Sequence, residues 1–180
     1  MSTLKLAVLA SLAVAACASA PQSSVRSPSL GAAIGSDELK DWDISIPPSG
    51  AGLPPGAGTA RDGALVFEQK CAACHGLKGV GKPADTLAGG AGTLASKTPV
   101  RTVGSYWPYA TTLFDYVRRA MPITNPLSLT NDEVYAVSAY VLYLNGIVGE
   151  DAQMNAQTLP QVRMPNRDGF IDDWRPRAGK

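Results

Sequence analysis

Residues 70–81 read KCAACHGLKGVG, and the spacing inside this stretch decides the fold. Cys71 and Cys74 stand a helical turn apart, and His75 follows the second cysteine at once. Such a group can hold a metal, exchange disulfides or carry a covalently attached haem, and each use requires different company elsewhere. The chain has three cysteines and one histidine, so only Cys17, in an apolar run far upstream, remains outside this stretch. A structural zinc site takes four Cys or His ligands, usually as two spaced pairs, and there is no second pair here. A thioredoxin-like motif follows a strand, whereas DGALVFEQK sets Ala64, Phe67 and Cys71 at helical spacing. That leaves c-type haem attachment. Each thiol adds to one vinyl group of the haem, and the imidazole next to the second cysteine is placed to reach the iron. One motif implies one haem c.

Attachment of this kind takes place outside the bacterial cytoplasm, so an export signal is expected, and residues 1–20 fit one. MSTLK is a short basic start, LAVLASLAVAA is apolar but too short to span a bilayer, and small residues follow. Two cleavage readings stay open. Ala18-Ser19-Ala20 fits the small-x-small rule, with Pro21 an unfavourable next residue. Val14-Ala15-Ala16-Cys17 resembles the lipobox of bacterial lipoproteins, in which the cysteine is acylated and anchors the protein to the membrane. Either route accounts for a thiol bound for an oxidising compartment, and both imply a periplasmic location. About 160 residues remain after the signal, enough for one domain with a core. The net charge of +1 becomes neutral once Lys5 is lost, which gives no reason to expect nucleic acid as a partner. Basic residues nevertheless concentrate around the motif, among them Lys78, Lys82, Arg118 and Arg119.

Residues 21–60 are rich in Ser, Gly and Pro and read as a linker, with DWDISI as an edge strand or docked extended segment. Residues 61–150 form the haem-bearing domain, and residues 151–180 an extended tail. Three helices are predicted: the first from about Asp62 to Cys74, the second over TTLFDYVRRAM with Thr112 and Asp115 at capping-box spacing. The third opens on a Thr130/Glu133 capping box, buries Val134, Val137, Tyr140, Val141 and Leu144, and stops at Gly146. A long Gly-rich loop between the motif and the second helix is placed to wrap the haem face.

This order of helix, Cys-x-x-Cys-His, Gly-rich loop, short helix, Met-Pro and amphipathic helix resembles the all-α, monohaem class I cytochrome c fold. That family carries a glycine eight residues and an aromatic four residues before the first haem cysteine; Gly63 and Phe67 stand there. A glycine lets two helices cross closely, and Tyr140 is the expected aromatic partner from the terminal helix. The stretches GLPPGAGTA, SYWPYATTLFDYVRRAMP, LTNDEVYAVSAYVLYLNGIV and LPQVRMPNRDGF are similar to the cytochrome c subunits of bacterial sulfite and sulfane dehydrogenases. The resemblance implies a periplasmic electron carrier that takes electrons from a separate molybdenum-dependent sulfite-oxidising dehydrogenase. It passes them to a downstream cytochrome or terminal oxidase.

With no second histidine, the iron's sixth ligand is methionine, lysine or nothing. Met121-Pro122 and Met164-Pro165 are rivals, and the family's placement of its ligand before the terminal helix favours Met121. His75 and Met121 are then the metal ligands. Arg101, Trp107 and Tyr109 are candidates for the haem propionates, by resemblance and by their donor groups; aromatic core packing is the alternative. Service to another periplasmic dehydrogenase, and a haem enzyme or gas sensor with an open distal side, remain the competing functions. His75 is expected to hydrogen-bond a backbone carbonyl just downstream, near Pro83.

Overall fold

The computed structural model describes residues 30–40 and 42–171. The expected signal peptide and Cys17 therefore lie outside the described residues, as does the end of the tail. Contacts divide the chain into two units, Met1–Leu39 and Lys40–Lys180. In the first, one helical turn, α1 (Ser36–Leu39), is described, with the Glu38 carboxylate accepting the Gly35 N–H at 3.0 Å. Among the described residues no helix is long and apolar enough to cross a membrane.

Among its described residues the second unit carries four α-helices: α2 (Ala60–Lys70), α3 (Ala72–His75), α4 (Ala110–Ala120) and α5 (Asn131–Leu144). Two-residue strands β1 (Ala57–Gly58) and β2 (Met154–Asn155) pair antiparallel, with Ala57 opposite Asn155 and Gly58 opposite Met154. α5 begins as its sequence predicts: the Thr130 hydroxyl accepts the Glu133 N–H while the Glu133 carboxylate accepts the Thr130 N–H. α2 starts two residues earlier than expected, because Thr59 and Asp62 form a second capping box. It also ends earlier. Cys71 leaves helical geometry (φ −123, ψ −36), and α3 is a separate turn. The apolar spacing runs unbroken through this kink, so periodicity carries no sign of it.

The capping box expected at Thr112 and Asp115 does not form. The cap position falls at Tyr109, which makes Thr112 an internal first-turn residue. Asp115 is buried instead, and its carboxylate accepts the distant Ile46 N–H as well as the Arg119 guanidinium one turn on.

α2 and α5 cross at Gly63. A Cβ on Gly63 would run into the Ala136 carbonyl, so only glycine permits this approach. One turn on, the Phe67 and Tyr140 rings meet at 5.3 Å between centroids, tilted by 56°, as the sequence predicts. At the rim Lys70 Nζ lies 2.7 Å from Glu133 Oε1. That bond, with the Thr130 N–H, holds the Glu133 carboxyl below its ordinary value. The core continues through Phe114, Tyr135, Val137 and Leu142.

Chain outside these helices packs against the same core. The GLPPGAGTA stretch is fixed to α5: the Tyr135 hydroxyl donates to Pro54 O at 2.9 Å, and Ala57 N–H donates to Asp132 Oδ1 at 2.8 Å. Within DWDISI, residues 42–46 dock without forming a strand, with Ile46 buried and Trp42 exposed. From the tail, Leu159 and Met164 enter the core.

Gly63→Val places a branched side chain against the α5 backbone. Overpacking of this kind costs about 1–3 kcal/mol or more. Denaturant unfolding of the variant should show a midpoint lowered accordingly; an unchanged midpoint would contradict the close crossing.

Candidate functional site

The crossing fixes the end of α2, and the motif begins there. The Cys71 carbonyl accepts the N–H groups of Cys74 (3.1 Å) and His75 (3.0 Å), which closes α3 as one turn and sets the two thiols a turn apart. Gly76, at φ 72 and ψ 162, then reverses the chain. The returning loop is bonded to the motif it left: Gly81 N–H donates to His75 O at 2.7 Å and Ala84 N–H to Cys74 O at 2.8 Å. This brings Asp85 O to 2.8 Å from His75 Nδ1. A carbonyl only accepts, so Nδ1 carries the proton and Nε2 keeps its lone pair. The acceptor sits two residues beyond Pro83, in the expected neighbourhood.

Neither motif cysteine is in a disulfide, so both sulfurs are available for attachment. Burial pushes the Cys71 thiol up to about 11, against the smaller opposing effect of Lys70. Among the described residues no three His, Cys, Asp or Glu side chains gather to hold a metal ion.

The Gly-rich loop is held rather than loose. Thr102 Oγ1 donates to Gly89 O at 2.6 Å and Ser105 Oγ to Val100 O at 2.6 Å. Asn145, which caps α5, accepts the Gly89 N–H at 3.0 Å and donates to Leu87 O (3.1 Å) and Val141 O (2.8 Å).

The two Met-Pro dipeptides occupy different environments. Met164 is 1% exposed and belongs to the hydrophobic core. Met121 caps the C-terminus of α4 in extended geometry (φ −119, ψ 145) and is only half-buried.

Arg101, Trp107 and Tyr109 all lie on the segment leading into α4. The exposed Arg101 guanidinium stands 5.6 Å from the Tyr106 ring centre, and Trp107 meets Tyr116 edge to face at 5.9 Å. Tyr109 is covered by a residue that sequence reasoning missed: Arg167, 4.5 Å from its ring centre. Asn166 Nδ2 donates to Tyr106 O at 2.7 Å, and Phe170 packs edge-on against Tyr106 at 5.2 Å. The tail thus lies over the aromatic segment. In the sequence the stretch LPQVRMPNRDGF stands out only by its resemblance to dehydrogenase cytochrome subunits.

Of the four basic residues singled out near the motif, Lys78 and Lys82 are exposed on the returning loop. Arg119 is paired with Asp115, and Arg118 Nη1 donates to Ile44 O at 3.3 Å.

Two cysteines one turn apart, beside an imidazole whose Nδ1 is fixed by a backbone carbonyl, fit a covalently attached haem. The comparisons agree. The cytochrome c family profile matches residues 60–145. Among curated proteins there is no significant match. Among solved structures, a chain of the sulfane dehydrogenase SoxCD from Paracoccus pantotrophus aligns with a TM-score of 0.76 and 41% identity, across 83% of this chain and 74% of that one. The chain therefore belongs to the cytochrome c family, as a monohaem class I cytochrome c: an electron-transfer protein carrying one covalently bound haem c.

Proposed function

We propose that this cytochrome is the electron acceptor of a periplasmic, molybdenum-dependent dehydrogenase that oxidises sulfite or a related sulfur compound. It passes the electrons on to a downstream cytochrome or terminal oxidase. The observation that carries the reading is the extent of the likeness to the sulfane dehydrogenase chain. At 41% identity over 83% of this chain, it reaches well past the 60–145 span of the family profile.

The bound haem supplies a one-electron iron couple. The residues that would hold it are Cys71 and Cys74, through thioether bonds to the haem, with His75 Nε2 and Met121 Sδ as the ligands offered to the iron. The Nδ1–H bond to Asp85 O fixes the imidazole's tautomer and orientation, which raises its basicity as a ligand. A thioether on the sixth position raises the reduction potential and leaves no open site for substrate, as electron transfer requires. Arg101, Trp107 and Tyr109 offer donors to the propionates, and Arg167 adds a second guanidinium beside Tyr109.

Burial of Met164 in the core supports Met121 over its rival. In the ferric protein Met121→Ala should abolish the weak far-red absorption band of methionine-ligated haem and lower the reduction potential. Met164→Ala should leave band and potential unchanged while costing about 2–5 kcal/mol of stability, because it empties a packed core position. The opposite pattern would move the ligand into the tail.

Sulfite oxidation to sulfate takes up one water and releases two protons and two electrons, so each sulfite reduces two molecules of a monohaem carrier. With the dehydrogenase from the same cell and limiting sulfite, stopped-flow absorbance should show that ratio. Failure of any sulfur-oxidising dehydrogenase to reduce the haem would shift the donor to another class of substrate.

The export reading places the protein in the periplasm, held at the membrane by an acylated Cys17 with residues 21–60 in part a tether. Confinement of that kind raises the effective concentration of a membrane acceptor. Cys17→Ser should release the mature protein from the membrane fraction. A soluble wild-type protein starting after Ala20 would show that the ordinary signal peptidase acts instead.

A further inference from the structure

The helix that ends at Met121 is gripped by chain lying outside the region matched by the family profile. Three bonds join α4 to residues 44–48. The Ile46 N–H donates to Asp115 Oδ1 at 2.9 Å in a buried contact. Arg118 Nη1 donates to Ile44 O at 3.3 Å, and Thr111 Oγ1 to Pro48 O at 3.4 Å. Each partner is more than sixty residues away in sequence, and the contacts on α4 run from Thr111 in its first turn to Arg118 in its last. Ile46 itself is 6% exposed, so its side chain is locked into the core beside the hydrogen bond it makes.

Asp115 is the centre of this grip. Its residue is 8% exposed, and a carboxylate so placed needs donors to offset its lost hydration. It has them from two directions: the strap's Ile46 N–H and, on its own helix, the Arg119 guanidinium through both carboxylate oxygens. From Asp115 to Met121 is six residues, about 9 Å along a helix axis. A rigid helix transmits a displacement at Asp115 to its end, and Met121 is fixed to that end by its N–H bond to Val117 O at 3.1 Å.

We propose that Asp115, through its bond to Ile46, is a positioning residue for Met121: the strap of residues 44–48 braces α4 and keeps the thioether sulfur at the iron. The proposal rests on Met121 being the distal ligand. Its physical content is a population. A ligand that competes for the iron binds only when methionine has left, so its apparent affinity scales with the fraction of molecules in that open state. Loosening α4 raises the fraction.

The test uses ferric holoprotein titrated with imidazole, followed by loss of the far-red methionine band. In Asp115→Ala the half-saturating imidazole concentration should fall at least threefold. Arg118→Ala, which removes one strap bond from a half-buried side chain, should fold and move it in the same direction. Met164→Ala serves as the comparison, since it empties a core position without removing any of the three hydrogen bonds between the strap and α4, and should leave half-saturation unchanged. Unchanged half-saturation in both α4 variants, or an equal fall in Met164→Ala, would overturn the proposal and make Asp115 a purely structural residue. A wild-type protein without the methionine band, or Met121→Ala with the band intact, would instead overturn the ligand assignment and this proposal with it.

Discussion

The contact between the Gly63 backbone and Ala136 is the constraint on which the rest of the molecule depends. It brings α2 and α5 to a separation that no other residue allows. Phe67 and Tyr140 then stack one turn along, and Lys70 reaches Glu133 at the rim. Because α2 ends at Lys70, the same crossing sets where Cys71 begins the motif. Because α5 ends at Leu144, it also sets where Asn145 takes hold of the Gly-rich loop. The attachment motif and the Gly-rich loop are thus both referred to one backbone approach, made at the point where the chain has the least side chain.

What the sequence discloses about this arrangement is local. The Thr130/Glu133 box, the stop at Gly146 and the Gly63, Phe67 and Tyr140 set rest on spacings within a helix or on a family pattern. The structure reproduces them. The kink at Cys71 escapes such a reading because residues 64, 67 and 71 keep helical spacing through it. Asp115 escapes for a different reason. A Thr and an acid three residues apart look like a cap wherever they occur, and only the distant Ile46 N–H reveals what this acid does. The tail is similar: Asn166, Arg167 and Phe170 acquire meaning from Tyr106 and Tyr109, about sixty residues earlier. The two Met-Pro dipeptides are alike as text and are separated by burial.

The haem domain is consequently wider than its motif. The family profile spans residues 60–145, yet Ile46, Leu159 and Met164 belong to the same core, and β1 and β2 join the segments before and after the helices. The two extensions act on neighbouring targets. One holds α4 along its length, and the other lies over the segment that leads into it. A family cytochrome is thereby given a second layer of support on the side that carries Met121, while the Cys71 to Asp85 side is supported by the loop's own backbone bonds.

Asn145 carries a further consequence. With one side chain it joins the end of α5 to Leu87 and Gly89, on a loop whose glycines would otherwise leave it free to move. An electron arriving at or leaving an iron changes its charge at once, and every dipole free to rotate must then relax. That relaxation is the reorganisation energy, and it slows transfer in both directions. A loop tied down by Asn145, Thr102 and Ser105 has fewer dipoles free to turn than its glycines alone would leave. Rapid exchange with a donor and an acceptor in turn is then a property of how firmly the glycines are fastened.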